Sequence, residues 1–487
     1  MKSALLGAFL GAVVVFDPFI TAYLLRDFSW LRDLPYLISI SAALSLGVVF
    51  ATRAFVPGLV STVIHDYYRY FPLLFLFAYQ INGVSLASLD ATEITIGVFM
   101  LLFLAGLFIR RDERFVSTPF NMLHLALGIC VLVSLASEFR IFQALKSVKP
   151  FVVFFLLVNF LPRGDLALKT VRWLVILAML SAAFCLVQEL AWVSTQTLLS
   201  LVEQEELKRM FEDTPIGPIF RVPGLMVGYR PMALYLATAM MFVLGSLLWR
   251  QEQQPLMPRR WLIFGLVLIA SALALTTAKD IFLGVGAAIP LMLVMQRPSR
   301  LMMATLIGLV GALSLVVATA IIPGNVDTTV DLTRTIPKTE QERIRLDRDS
   351  IEGFLHSPYT WAGRGIGSGK RYTAHPLGWP AHNAFILVAA ELGVFGLVIF
   401  LLIYALAFAR AIALNIVVTS GPFLPIVRGL LCALVVGLVG VQFTAAFLDI
   451  FVWTIFAIVE AIWFMARKRA LESSAPTLAP GSPSGPN

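Results

Sequence analysis

Long apolar runs separated by polar stretches of varying length make up most of this chain. A helix needs ~20 mainly apolar residues to cross a bilayer, and by that measure the chain holds about 12–14 candidate spans. The runs lie near 3–25, 34–52, 70–89, 93–109, 119–137, 149–161, 170–192, 231–249, 261–277, 281–296, 301–322, 382–408, 425–446 and 449–466. The pattern predicts an all-α polytopic membrane protein in contact with the lipid bilayer.

Composition agrees with this prediction, because 59% of the residues are hydrophobic, only 14% are charged, and the mean hydropathy is +0.86. Basic residues are concentrated in alternate short loops, which predicts cytoplasmic N- and C-termini. The net charge of +8 is typical of basic cytoplasmic loops. With no nucleic-acid-binding motif in the chain, we expect no nucleic-acid partner. The three cysteines lie within apolar runs, so we expect no disulfide and no zinc site.

Two long segments interrupt the apolar pattern, at about 193–230 and 323–381, and both are predicted to lie outside the cytoplasm. The first contains a charged, helix-compatible stretch from Glu203 to Asp213, and the second contains another from Glu340 to Glu352. We predict one transmembrane helical domain over residues 1–471. Residues 472–487 are rich in Ser, Pro and Gly, which indicates a disordered cytoplasmic tail.

The end of the second loop carries the most unusual chemistry. It combines closely spaced glycines with basic residues and then enters a long apolar helix. Such a composition is what an anionic ligand requires. Histidine is the side chain whose unperturbed pKa lies near 7, so His382, at the helix start, is the candidate for proton chemistry. The other polar and glycine positions are Gly363, Arg364, Gly365, Gly367, Lys370, Arg371 and His375.

The stretch from His382 resembles a known signature, that of the O-antigen ligase and polymerase superfamily. A His-Asn pair opens a helix there, followed by Glu391, Gly393 and Gly396 at the family's spacing. The upstream Pro358 and the Gly-x-Gly-x-Gly passage are similar to another family element. Arg343 occupies the place of the family's loop arginine.

Earlier parts of the chain extend the resemblance to about residues 120–465. Arg221-x-x-Gly224 is similar to an Arg-x-x-Gly stretch that enters a helix, and Thr276 to Lys279 resembles a Thr-x-Ser-Arg element. The chain departs from the family in several places, including Asp347, where many members have an aromatic residue, and a two-residue insertion after Pro358. It has Ala-Lys-Asp at 278–280 where Ser-Arg-Gly is usual, and Gly-Tyr-Arg at 228–230 where Asn-Pro-Asn is usual.

The resemblance implies a GT-C-like glycosyltransferase that moves a glycan from an undecaprenyl diphosphate carrier to an acceptor hydroxyl, on the outer face of the bacterial inner membrane. His382 would be catalytic. Cations would stabilise the diphosphate leaving group, so the site would need no metal and no cofactor. Diphosphate binding falls to Arg221, Lys279 and Arg343, with Arg345 and Arg348 as substitutes. The loop and acceptor side comprises Asn383, Gly363, Gly365, Arg364 and His375.

Several alternatives remain open at this level. The acceptor could be another glycan, lipid A core or a protein side chain; we favour polymerisation of surface polysaccharide or exopolysaccharide, with a chain-length regulator as a possible partner. A transporter of lipid-linked oligosaccharides is the alternative of a different class. Asp347-Arg348-Asp349 matches a metal-binding Asp-x-Asp pattern, which we interpret as chance in a charged loop. Glu391 falls on the opposite helix face from His382, so we expect it to bind a neighbouring helix or loop.

Overall fold

The structure of the protein is a computed structural model. It describes residues 67–81, 85–86, 89–109, 116–134, 141–195, 211–214, 217–226, 228–249, 256–296, 338–373, 380–443 and 449–474. Three predicted spans, near 3–25, 34–52 and 301–322, lie outside the described residues. Residues 475–487 of the predicted tail do so as well.

Helices make up almost all of the described part. They are α1 Phe71–Gln80, α2 Ala91–Ile109, α3 Pro119–Ser134, α4 Ile141–Phe160, α5 Leu166–Thr195, α6 Tyr229–Leu247, α7 Arg259–Thr276, α8 Lys279–Gln296, α9 Lys338–Leu355, α10 Ala384–Val417, α11 Leu424–Val441 and α12 Ile450–Ser474. Two short antiparallel hairpins pair β1 Ser85–Leu86 with β2 Leu89–Asp90, and β3 Phe211–Thr214 with β4 Gly217–Phe220. Short 3₁₀ turns occupy Tyr67–Arg69 and Gly369–Arg371.

Six of the described helices are long and apolar enough to cross a membrane, namely α5, α6, α7, α10, α11 and α12. The prediction of an all-α polytopic membrane protein is therefore confirmed.

The run near 70–89 differs from expectation, because α1 ends at Gln80 and a hairpin follows. The charged stretch at 340–352 is helical as predicted, within α9. The helical prediction up to Asp213 is wrong at its end, where β3 begins at Phe211. At the other end of the chain, α12 runs to Ser474, into the segment predicted as tail.

Helix α6 lies at the centre of one half of the bundle and packs against α5, α7, α8 and α11. It is buried from Met232 to Ser246. Its contact with α11 is close, because a Cβ added at Gly245 would lie 2.6 Å from the carbonyl oxygen of Pro425. Small residues allow helices in lipid to approach closely, and their dispersion contacts replace the missing hydrophobic driving force.

Helix α10 packs against α3, α11 and α12, and α9 lies across its start. At its far end, Arg410 pairs with Glu460 of α12 at 3.5 Å and lies over the Trp463 ring at 4.5 Å. Glu460 is only 2% exposed, so its charge is balanced inside the bundle. At the opposite end of the bundle α6, α8 and α10 begin and α7 and α11 end; we call this the site end.

Candidate functional site

Asn383 fixes the start of α10. Its side-chain oxygen accepts hydrogen bonds from the backbone N–H groups of Phe385 at 2.9 Å and Ile386 at 3.3 Å. This is an N-cap, which satisfies N–H groups that have no partner within the helix. The Asn383 amide nitrogen donates to the Gln442 side-chain oxygen, 2.9 Å away, just beyond the end of α11. The residue before the cap, His382, is therefore held where two helix ends meet.

Asp347 attaches α9 to this helix start. Its carboxylate accepts a hydrogen bond from the backbone N–H of His382 at 2.8 Å. Burial raises the pKa of Asp347, while the N–H groups of His382 and Asn383 and the charge of Arg343 oppose that rise. The contact joins residues 35 positions apart, so it ties the extramembrane helix directly to the histidine.

The three candidate arginines of α9 do not share one environment. Arg343 lies one turn before Asp347 and is half-buried. Arg345 and Arg348 are 75% and 76% exposed, and each pairs with an acid one turn further along, Asp349 at 3.9 Å and Glu352 at 2.8 Å. Of the three, Arg343 lies on the same face of α9 as Asp347, the residue that bonds to His382.

The Asp-x-Asp pattern is also divided between two environments. Asp347 accepts from the His382 backbone, whereas Asp349 pairs with Arg345 on the other side of the helix. Among the described residues, no group of three or more His, Cys, Asp or Glu side chains is placed to hold a metal ion. The two aspartates therefore act separately in this fold.

Arg221 lies beside the start of α6. Its guanidinium donates to the Tyr229 hydroxyl at 2.7 Å and lies over that ring, 4.7 Å from the centroid. The segment is fixed by Gly224, whose backbone N–H and carbonyl both bond to the Gln188 side chain, at 2.9 and 3.0 Å. Gly224 has a φ of +63°, which favours glycine. Arg221 therefore lies next to an ordered turn, which holds it beside the start of α6.

Lys279 opens α8 after a tight turn, in which Thr277 adopts a left-handed φ of 50°. The next residue, Asp280, is 8% exposed and lies 3.9 Å from Arg230 of α6. Arg230 also donates to the Phe443 carbonyl at 2.9 Å, beyond the end of α11. A charge pair therefore joins three helix ends beside Lys279.

Sequence reasoning did not assign Arg230 and Asp280 to the site. Both were visible as departures from the family pattern, an arginine in place of asparagine and an aspartate in place of glycine. At the starts of two helices, Arg230 and Asp280 replace uncharged residues with charges of opposite sign. That complementary change was the sequence feature that could have indicated the pair. Their contact spans 50 positions in sequence, and a single sequence does not reveal such a pairing.

The glycine-rich loop docks on α10, where that helix is interrupted at Gly393, with φ 74° and ψ −174°. The N–H groups of Arg364 and Gly365 donate to the Ala390 and Glu391 carbonyls, at 3.2 and 2.9 Å. In return, Val394 donates to the Thr360 carbonyl at 2.9 Å. The backbone amides of Arg364 and Gly365 therefore bond to α10, so in this fold the basic side chains of the loop are the groups left to meet an anionic ligand.

The backbone of the loop lies so close to the backbone of α10 that Gly363 and Gly393 leave no room for a side chain. A Cβ added at Gly363 would lie 2.2 Å from the Glu391 carbonyl oxygen, and one at Gly393 would lie 2.2 Å from the Trp361 carbonyl oxygen. The Glu391 side chain is 4% exposed and accepts from the Gly369 N–H at 3.2 Å. The prediction that Glu391 binds a neighbouring loop is confirmed. His375 lies outside the described residues.

A continuous series of contacts connects the site end. Asp280 pairs with Arg230, which bonds to the Phe443 backbone; the adjacent Gln442 bonds to Asn383, and the adjacent His382 bonds to Asp347. The series joins five separate stretches of sequence. Of the predicted residues it contains His382 and Asn383; Lys279 is next to Asp280, and Arg343 is one turn from Asp347. Arg221 bonds to Tyr229, the neighbour of Arg230. The arrangement is that of a polytopic membrane protein whose candidate site, basic and histidine-bearing, lies at one end of its helical bundle.

Comparison with known families gives a match to part of the chain. Residues 264–401 match the family model described as O-antigen ligase, which supports the O-antigen ligase-like superfamily that the motifs predicted. The matched region contains Lys279, Arg343, the glycine loop and the His382 helix. It supports membrane glycan transfer of the O-antigen ligase or polymerase type, with a lipid-linked glycan and an acceptor as substrates. No curated protein matches the chain.

Proposed function

We propose that this protein is a glycosyltransferase that moves a glycan from undecaprenyl diphosphate to an acceptor hydroxyl on the outer face of the inner membrane. The observation that carries the proposal is the convergence at the site end, where the His382 helix start is linked through Asn383 and Gln442 to the neighbourhood of Arg230 and Lys279. A lipid-linked donor keeps its chain in the bilayer and its diphosphate at the surface. Basic groups at helix ends suit that geometry.

His382 acts on the acceptor hydroxyl as base or orienting group, since a neutral imidazole can accept a proton near pH 7. Negative charge grows on the diphosphate as the glycosidic bond breaks. Cations held in place at that position stabilise the transition state more than the ground state. Arg221, Lys279 and Arg343 are the proposed cations, and they make the reaction independent of a divalent metal.

The same proposal implies the orientation of the protein in the membrane. A carrier-linked glycan displayed outside the cytoplasm requires the site end to face outward, with both chain termini in the cytoplasm, in agreement with the basic bias of the short loops. We favour a polymerase of surface polysaccharide or exopolysaccharide over a ligase acting on lipid A core. The support is that the loops on the acceptor side depart from the commonest ligase pattern.

The test is transfer from a synthetic polyprenyl-diphosphate oligosaccharide by purified protein in detergent, with chelator present. We expect the parent to form a lengthened or transferred glycan and His382→Ala to lose at least ~100-fold in rate, the scale of general acid–base catalysis. His356→Ala is the matched control, because that ring is exposed at the end of α9. Product mass identifies the acceptor.

Two outcomes contradict the proposal. If His382→Ala transfers glycan at the rate of His356→Ala, the role of His382 is wrong. If the parent and the His382 variant bind the donor equally and neither converts it, a transporter of lipid-linked oligosaccharide becomes the better account.

A further inference from the structure

An open cleft with a volume of about 400 Å³ lies between the end of α9 and the glycine loop. Its walls include Ser357, Tyr359, Arg364, Arg371 and Tyr372. The cleft begins at Gly353, six residues beyond Asp347, which is roughly 9 Å along the helix axis. It is therefore separate from the contact that ties α9 to His382.

The walls of this cleft are held from two sides. Arg364 is anchored through its backbone to the Ala390 carbonyl of α10, and its guanidinium lies 5.7 Å from the centroid of the Tyr372 ring. The Tyr372 hydroxyl donates to Ser357 at 3.2 Å. Gly353 makes room for that ring, because a Cβ there would lie 2.8 Å from it. Arg364 and Tyr372 are thus held in place before any ligand binds.

The lining chemistry specifies the ligand. The described lining residues offer two guanidinium groups, three hydroxyl-bearing side chains and two tyrosine rings, with no carboxylate among them. The nearest acid along α9, Glu352, pairs with Arg348. Guanidinium groups bind carboxylates and phosphates through paired hydrogen bonds. Hydroxyls and aromatic faces suit a polyhydroxylated ring, and the volume lies within the range of small-molecule sites.

We propose that this cleft binds an acidic sugar of the glycan, one carrying a carboxylate or a phosphate, while the reacting carbon lies near His382. The inference rests on the proposed function and adds a subsite that selects glycans by their negative charge. An anionic lipid is the competing ligand for such a basic cleft. In the described part of the chain, the lining has no Leu, Ile, Val, Met or Phe side chain that would hold an acyl chain, so the sugar is favoured.

The test measures binding alone, so that it does not depend on transfer. Full-length protein in zwitterionic nanodiscs is titrated with trigalacturonate and, separately, with galactotriose, a neutral sugar of the same length. We expect trigalacturonate to bind at least about tenfold tighter to the parent. Arg364→Gln/Arg371→Gln should abolish that preference. Lys169→Gln, which removes an exposed charge paired with Asp165, should keep it.

Two more variants and a second lipid distinguish a sugar subsite from a folding defect, from the reaction centre and from a lipid site. The Arg371→Gln single variant alters only an exposed side chain of the cleft, so it should fold and lose the preference several-fold even if the double variant does not fold. His382→Ala should retain the full preference, which would place the subsite outside the reaction centre. The proposal is overturned if both sugars bind the parent equally, if Arg371→Gln retains the full preference, or if phosphatidylglycerol nanodiscs abolish trigalacturonate binding.

Discussion

Gly393 is a position at which a single added methyl group should be strongly destabilising. Its φ of 74° and ψ of −174° lie in a region that is essentially restricted to glycine. A Cβ there would lie 2.2 Å from the Trp361 carbonyl oxygen and 2.5 Å from the Gly363 nitrogen. Both are backbone atoms, so neither can turn aside. Gly393→Ala therefore either strains α10 or displaces the loop.

The structure gives an order of magnitude for the free-energy cost of each alternative, strain in α10 or displacement of the loop. Holding alanine in this conformation costs about 1–3 kcal/mol before any clash is counted. Displacing the loop gives up the bonds that join it to α10, which include those from Arg364, Gly365 and Val394. Each such bond contributes about 0.5–1.5 kcal/mol net. Since the clash adds to the first route, we expect Gly393→Ala to destabilise the loop by about 2–5 kcal/mol.

The assay is thermal unfolding in detergent together with amide hydrogen exchange over residues 360–373. Gly393→Ala should lower the unfolding midpoint and abolish protection of the Arg364 and Gly365 amides. The control is Gly437→Ala in α11, where a Cβ would meet nothing within 4 Å. That change should be neutral or slightly stabilising, because alanine is the better helix former. Equal midpoints and equal loop protection in the two variants would refute the reasoning.

The remaining predictions concern two polar contacts of the site end, Asp347 with His382 and Arg230 with Asp280. Asp347→Asn keeps an oxygen that accepts from the His382 N–H, so it should be tolerated, whereas Asp347→Ala should weaken α9 docking by roughly 1–3 kcal/mol. Burial raises the pKa of Asp347, so its contribution to stability is full below about pH 4 and is lost as pH rises through the folded-state pKa. The unfolding midpoint of the parent should therefore fall relative to Asp347→Asn as pH rises from 4 to 7, and the opposite trend would contradict this sign. Arg230→Gln and Asp280→Asn should each destabilise by ~2–4 kcal/mol, because each leaves the other charge unpaired at a partly buried position. The double variant should lose less than the sum in chemical unfolding, and strict additivity would argue against coupling.

Several elements could be predicted from the sequence because the interactions that form them are local, although the run near 70–89 and the stretch ending at Asp213 were exceptions. The apolar runs predicted the spanning helices, the charged stretch predicted α9, and the His-Asn pair marked the start of α10. The helical period also placed Glu391 away from His382, and its bond to the Gly369 backbone agrees. Each of these inferences needs only the residues within a few turns of one another.

The contacts that assemble the site join distant parts of the chain, and the sequence did not reveal them. The bond from His382 to Asp347 spans 35 positions, and the bond from Arg230 to the Phe443 carbonyl spans 213. Arg343, Arg345 and Arg348 have the same residue type, and only the family resemblance ranked Arg343 first. Only the packing of α9 on α10 distinguishes the half-buried one from the two exposed ones.

The glycine loop shows why composition alone was ambiguous. Glycines beside basic residues suit an anion-binding turn, but they also suit a backbone that must lie against another backbone. In this fold the loop amides of Arg364 and Gly365 bond to α10. Under the proposed function, the diphosphate is then bound mainly by side-chain charges at the site end. Those charges stand on separate helix ends, so their spacing depends on the contacts that join Arg230, Asn383 and Asp347. The loop contributes by fixing α10 at its interruption around Gly393.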